Sequence, residues 1–326
     1  MLEIALAILA VLGGFVILVW AADRFVIGAS ATARNLGMSP LIIGLTIVSF
    51  ATSAPEMFTS GIAALQGNPG LGIGNAVGSN IANIGLILGI TVLIAPIKVQ
   101  SKLIKREYPI LFAITILATL LVIDNRLDIV DGIILLAGLS AMLYWMVHMG
   151  LKERHKDIIE KEFDAEIPKS MPIGKGIFLL AIGLVGLVLG SKVLVMGSVF
   201  IAGKMGMTDL VIGLTIVAIG TSLPELAASV ASVLKKEQDL AIGNIVGSNM
   251  FNTLAVLPLP GLIAPGPISA NVLMRDFPVM IGFTILLIFF SMNFGKSNVI
   301  GRYKGVLLLV IFIAYQGLLF VTKDQT

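Results

Sequence analysis

Residues 48–60 read VSFATSAPEMFTS. Apolar sequence flanks them on both sides, yet the stretch holds a proline, a carboxylate (Glu56) and five hydroxyl side chains. Residues 217–229, VAIGTSLPELAAS, nearly repeat it. At an offset of 169 residues, LIIGLTIVSFATSAPE (41–56) lies on LVIGLTIVAIGTSLPE (210–225) with 11 identities in 16. At the same offset GIGNAVGSNIAN (72–83) lies on AIGNIVGSNMFN (241–252) with 8 identities in 12. Agreement at one gap-free offset marks an internal duplication.

The surroundings of the repeated motif set its solvent. The 326 residues are 57% hydrophobic and 13% charged, with a mean hydropathy of +1.02. A soluble domain carries about a quarter charged residues. Long apolar runs, rather than alternating ten-residue segments, indicate membrane helices and not a β-barrel. Such runs fall at 2–32, 38–65, 70–95, 107–123, 127–150, 173–202, 207–234, 238–264, 276–293 and 300–321. The first has Glu3 and no basic leader, so it reads as a retained span and not a cleaved signal.

The fold class expected is therefore an all-α membrane protein. It has ten transmembrane helices in two inverted five-helix repeats, with interrupted helices at the core. Residues 1–150 form the first repeat, 151–172 a polar cytoplasmic linker and 173–326 the second repeat. Five spans per half is an odd number, so the second half starts on the opposite side of the membrane from the first. Loop charge fixes the orientation. With the N-terminus outside, 16 Lys and Arg fall in inside loops and 4 in outside segments, as the positive-inside rule requires. The net charge of +3 follows from these loops, and no basic patch interleaved with aromatics suggests nucleic acid. With no cysteine, disulfides, thiolate metal sites and thiol nucleophiles are excluded. Trp20 and Trp145 read as interfacial or packing residues.

Pro55 and Pro224 stand in mid-span. Each lacks an N–H and clashes with the carbonyl four residues earlier, freeing carbonyl oxygens near Ser49, Ala51 and Thr52 and near Ala218, Gly220 and Thr221. Broken backbone at that depth is tolerated only inside protein or along a polar cavity. Glu56 lies four residues after Thr52 and three after Ser53, on one helix face. Glu225, Thr221 and Ser222 repeat the arrangement. Ser79 and Asn83 are four apart on the third span, as are Ser248 and Asn252 on the eighth. Carboxylate, hydroxyl, amide and carbonyl oxygens, with no His or Cys, suit Ca²⁺ or Na⁺ and argue against Zn²⁺ or Cu. A carboxylate at a helix centre costs about 2.5–3.5 kcal/mol on insertion scales and marks an ion path by default. Asn75, Asn80, Asn244 and Asn249 read instead as hydrogen bonders between helices. The pairs Gly74/Gly78 and Gly243/Gly247 read as close helix contacts.

The two copies of T-S-x-P-E, each followed by G-N-x-x-G-S-N, resemble the α-repeats of the cation/Ca²⁺ antiporter superfamily. Over nearly its whole length the chain is similar to a bacterial sodium/calcium exchanger-type member. The resemblance implies an alternating-access exchanger of the plasma membrane, which in a bacterium is the inner membrane, with cation sites where the repeats meet. Carried over by position, Glu56 and Glu225 are the central ligands for Ca²⁺ and Na⁺. Thr52, Ser53, Ser79, Thr221, Ser222 and Ser248 supply further oxygens. Ser49 and Ala218 contribute backbone carbonyls, and Asn83 and Asn252 complete the centre. Ala51 stands where the family favours glycine, and Ala54 where it often has leucine. Asn252 stands where some members carry aspartate, which leaves the site one carboxylate poorer.

Two carboxylates balance one Ca²⁺ or two Na⁺, whereas the empty pair is costly in a low dielectric. Competition for shared ligands then gives Na⁺/Ca²⁺ antiport without ATP, and no nucleotide motif is present. No cofactor is expected beyond the transported ions, and the partners are those ions and the lipid bilayer. Proton-coupled cation/Ca²⁺ exchange on the same scaffold and a cation channel are the alternatives. An intramembrane hydrolase is disfavoured, because no GxGD-like aspartate pair, HExxH or serine–histidine arrangement appears.

Overall fold

The computed structural model describes residues 2–36, 53–99, 101–152, 171–234, 238–292 and 299–322. Its helices are α1 (Leu2–Asn35), α2 (Ala54–Leu65), α3 (Pro69–Ile94), α4 (Ser101–Leu121) and α5 (Ile129–Lys152). They continue as α6 (Ile173–Met205), α7 (Asp209–Leu234), α8 (Gln238–Phe251, extended through Pro258–Ile263), α9 (Val272–Ser291) and α10 (Arg302–Val321). The protein is an all-helical membrane protein. Among the described residues eight helices are long and apolar enough to cross a bilayer: α1, α3 and α5 to α10. The α4 helix opens with the polar run SKLIKRE. Residues 37–52 lie outside the described residues, so the second expected span is seen only from Ser53 onward.

The long helices α1 and α6 pack antiparallel along their length. Gly14 of α1 abuts Leu194 of α6, and Gly183, Gly186, Gly190 and Gly197 of α6 abut Phe25, Ala21, Leu18 and Ala7 of α1. As one partner's number rises the other's falls. Missing side chains let the two backbones come together, the usual basis of helix association in lipid. At 34 residues α1 is about 51 Å long, against a hydrocarbon core of about 30 Å, so it must tilt or protrude. Its outer faces carry exposed Leu9, Leu12 and Val16, as a lipid-facing surface does.

The enclosed centre is built by α3 and α8, buried over 78% and 83% of their most apolar windows, against 17% for α5. Here α3 meets α7 closely. The Gly74 and Gly78 faces of α3 lie on Leu210, Gly213, Leu214 and Ala218 of α7. A methyl on Gly78 would come within 2.8 Å of both Leu214 Cα and Ala218 Cβ. Residues 41–49, the stretch the duplication sets against Gly243 and Gly247, lie outside the described residues.

Two short antiparallel ladders tie the loops. β1 (Ile97–Lys98) pairs with β4 (Val299–Ile300), and β2 (Arg126–Leu127) pairs with β3 (Gly266–Pro267). Each ladder joins a loop of the first half to a loop of the second. A left-handed Gly206, at φ 62°, closes α6, with the Met207 N–H reaching the Ala202 carbonyl at 2.9 Å.

The helices are not uniform. α3 loosens into a π-helix over Asn83–Leu88, α8 over Asn252–Val256, α7 over Gly213–Val217 and α9 over Val272–Asp276. Asn83 and Asn252, which open two of these segments, occupy equivalent positions of the duplication. Such π-turns recur at functional sites. Overpacking of a close helix contact costs about 1–3 kcal/mol. Gly78→Leu is therefore expected to lower the melting midpoint of the purified protein by several degrees, read by fluorescence or calorimetry. An unchanged midpoint would mean that α3 and α7 do not meet as described.

Candidate cation-binding site

Proline shapes both arms of the site. Ser53, at φ −87° and ψ 4°, precedes α2, whose first turn holds Pro55. Ser222, at φ −85° and ψ 6°, interrupts α7 between its Ala218–Thr221 and Leu223–Leu234 segments, next to Pro224. Ser222 breaks α7, as the sequence leads one to expect, and Ser53 stands at the equivalent position before α2 with nearly the same dihedrals. Each break leaves a glutamate in the first turn of the helix that follows.

Both glutamates are fully enclosed, Glu56 at 0% and Glu225 at 1% exposure. The Ser222 hydroxyl donates to Glu56 Oε1 at 3.3 Å, so the motif of one half touches the carboxylate of the other. Ser222 precedes Glu225 by three residues, so this contact brings the glutamate-bearing segments of the two halves beside each other.

Ser53, Ser79, Asn83, Ser248 and Asn252 are buried as well. The chemistry of the unpaired atoms is telling. Glu56 Oε2, Glu225 Oε2, Ser53 Oγ, Ser79 Oγ, Asn83 Oδ1 and Asn252 Oδ1 are all buried without a hydrogen-bond partner. Every one is an oxygen. An unpaired buried polar group costs about 1–3 kcal/mol, more when charged, so so many together need a reason. Further unpaired oxygens are Thr59 Oγ1 on α2, Asn80 Oδ1 on α3, and the hydroxyls of Ser30, Ser191 and Ser198 along α1 and α6. Among the described residues no group of three or more His, Cys, Asp or Glu could hold a metal. The donor set is two carboxylates plus neutral oxygens, which fits a hard cation.

The amides show how the oxygens are aimed. Asn83 gives its N–H to Asn249 Oδ1 at 2.9 Å, which leaves its own carbonyl oxygen free. Asn249 in turn donates to the Asn80 carbonyl at 3.4 Å, and Asn80 to Thr253 Oγ1 at 2.8 Å. Asn75 Nδ2 bonds the Glu56 carbonyl at 3.2 Å and Ser60 Oγ at 2.9 Å. Asn244 repeats this on the Glu225 carbonyl at 3.4 Å and Ser229 Oγ at 3.2 Å. These four asparagines are the helix–helix hydrogen bonders that the sequence suggests.

Other expected ligands fall differently. Thr221 Oγ1 lies 3.0 Å from Asn75 Oδ1 and 3.1 Å from the Val217 carbonyl. The Ala218 carbonyl accepts the Ser222 N–H at 3.2 Å and lies 3.4 Å from Thr221 Oγ1, so it is a helical acceptor. Ser49 and Thr52 lie outside the described residues.

Residues 6–147 and 175–321 match the sodium/calcium exchanger protein family. The chain belongs to the sodium/calcium exchanger family. Within that family it is 50% identical over 310 residues to CaxA of Alkalimonas amylolytica, covering 95% of this chain and 97% of that one. It is 33% identical over 343 residues to the sodium/calcium exchanger MaX1 of Methanosarcina acetivorans, covering 94% and 96%. Among solved structures it is similar to the sodium-calcium exchanger NCX_Mj soaked with Na⁺ and Sr²⁺. The TM-score is 0.64 at 33% identity, covering 95% of this chain and 97% of that one.

A cation seated among the six unpaired oxygens would satisfy them together, and a ligand that binds only the folded state stabilises it, by about 2.7 kcal/mol at a hundredfold its Kd. The melting midpoint of this exchanger-family protein in detergent is expected to rise on adding Ca²⁺ or Na⁺. Glu225→Gln should abolish most of the Ca²⁺-induced rise. A wild-type midpoint indifferent to both ions would contradict the cluster's assignment.

Proposed function

We propose that the protein is a secondary antiporter that exchanges Ca²⁺ for Na⁺ across the membrane by alternating access. The observation that carries this reading is the pair of enclosed carboxylates, each with one unpaired oxygen, the first of which accepts a hydrogen bond from Ser222 of the other half. Glu56 and Glu225 would hold the ion, with Ser53, Thr52, Ser79 and Asn83 from the first half and Ser222, Thr221, Ser248 and Asn252 from the second. Ser49 and Ala218 would lend backbone carbonyls.

Charge decides which states can move. Two carboxylates without cations leave about −2 in a low-dielectric interior, which is costly, whereas one Ca²⁺ or two Na⁺ neutralise it. The loaded protein therefore reorients and the empty one is held back. Na⁺ and Ca²⁺ compete for the same oxygens, so the gradient of one drives the other. Asn252 adds an oxygen without a charge, which keeps the balance at two.

The architecture proposed is ten spans in two inverted repeats, 1–150 and 173–326, with the linker 151–172 in the cytoplasm and the N-terminus outside. Three features support it. The equivalent helices α1 and α6 run antiparallel. Each ladder pairs the loop after the third span of one half with the loop after the fourth span of the other. Each ladder also joins loops that the charge count puts on one side of the membrane. The setting proposed is the plasma membrane.

In proteoliposomes an outward Na⁺ gradient is expected to drive ⁴⁵Ca²⁺ uptake, with Glu56→Gln or Glu225→Gln lowering it at least a hundredfold. Near-normal uptake in either variant, or uptake driven by a pH gradient and indifferent to Na⁺, would defeat the reading. Flux that needs no counter-ion would point to a channel. Topology has its own test, because the chain has no cysteine. A single cysteine placed at Ser170 should resist a membrane-impermeant maleimide in intact cells and react in inverted vesicles. The opposite pattern would reverse the orientation.

A further inference from the structure

Asn75 stands apart from the six unpaired oxygens because every one of its polar atoms is engaged. Its Nδ2 donates to the backbone carbonyl of Glu56 and to Ser60 Oγ, both on α2. Its Oδ1 faces the Thr221 hydroxyl of α7 at 3.0 Å. Asn75 itself is fully buried on α3. One amide therefore ties together the glutamate-bearing helix of the first half, the helix that carries Ser79 and Asn83, and the broken helix of the second half. Asn244 makes the same two donations, to the Glu225 carbonyl and Ser229 Oγ. The acceptors fix the orientation of both amides, since a backbone carbonyl can only accept.

The tie sits where it is needed. Pro55 and Pro224 cannot donate a backbone N–H, so the first turns of the helices that follow are only partly anchored to what precedes them. A helix that starts at such a break can turn about its axis, and its glutamate turns with it. A bond from a neighbouring helix to the glutamate's own carbonyl fixes that rotation at the residue that matters.

We propose that Asn75 and Asn244 are positioning residues that set the aim of the Glu56 and Glu225 carboxylates, and that Asn75 also joins the two halves through Thr221. This deepens the cation-site reading and rests on it. The Nδ2 donors of both amides are spent on the glutamate-bearing helices, and Asn75 Oδ1 already meets Thr221. Removing either tie loosens the grip on the ion while leaving the charge balance, and hence the reorientation step, in place.

The test is ⁴⁵Ca²⁺ equilibrium binding to the purified protein, together with KM and Vmax for Na⁺-driven uptake in proteoliposomes. Asn75→Ala and Asn244→Ala are each expected to raise Kd and KM about tenfold, the worth of one hydrogen bond to a constrained group. Vmax should stay within threefold. In the cycle with Thr221→Val, the double variant with Asn75→Ala should bind at least threefold more tightly than the product of the single losses predicts, because the same contact is removed twice. Asn244→Ala carries the test if Asn75→Ala fails to fold. Unchanged Kd in the variants that fold, or a loss of Vmax alone, overturns the positioning role. Additive losses with Thr221→Val overturn the link between halves. A wild-type protein that binds neither Ca²⁺ nor Na⁺ overturns the cation site itself, and this inference with it.

Discussion

A hydroxyl of the second half, Ser222, donates to the buried carboxylate of the first, Glu56, and the proposed site depends on that contact. Like charges repel strongly at low effective dielectric, and among the described residues no ion pair joins either glutamate to a basic residue. Something else must balance them. In the reading proposed above, a small hard cation fills the buried oxygens that have no protein partner. On that reading, the repulsion that makes the empty site costly also gives the ion its leverage over conformation.

The scaffold serves that site in two ways. Proline at the start of a broken helix puts the glutamate in a first turn, and π-turns opening at Asn83 and Asn252 reset the pitch of α3 and α8 beside it. Small residues then bring the backbones near enough for short side chains to meet: Gly74 and Gly78 seat α3 on α7. Serine, threonine and asparagine reach only a few ångströms, so a site made from them demands this proximity. Outside this core, α1 and α6 form a separate antiparallel pair with apolar faces turned to lipid. Arg24 lies over the Trp20 ring at 5.6 Å and Arg106 over Trp145 at 5.8 Å, so both tryptophans do more than fill space.

Much of this was legible in the sequence because the duplication repeats its exceptions. A glutamate after a proline in an apolar span is informative once and decisive twice, and the i, i+4 spacing of Ser79 and Asn83 put both on one face. The membrane helices were legible from apolar runs to within a few residues for α3, α5 and α8. Other features left no such mark. The π-turns depend on packing rather than on composition. The Asn75 amide has the same sequence signature whether it ligates an ion, ties two helices or does neither; only its contacts with Glu56, Ser60 and Thr221 distinguish these roles. The Ala218 carbonyl looked free because Pro224 follows, but the carbonyl that proline strands is four residues before it, at Gly220, and Ser222 still donates to Ala218.

Anomalous diffraction from crystals soaked in Sr²⁺ addresses the central claim most directly. A single strong peak bridging the Glu56 and Glu225 carboxylates, weakened by excess Na⁺ and lost in Glu56→Gln, is the result expected. Density that stays between positions 56 and 225 in that variant, or ions bound only at the loops while the carboxylates pair with protein groups instead, would contradict it.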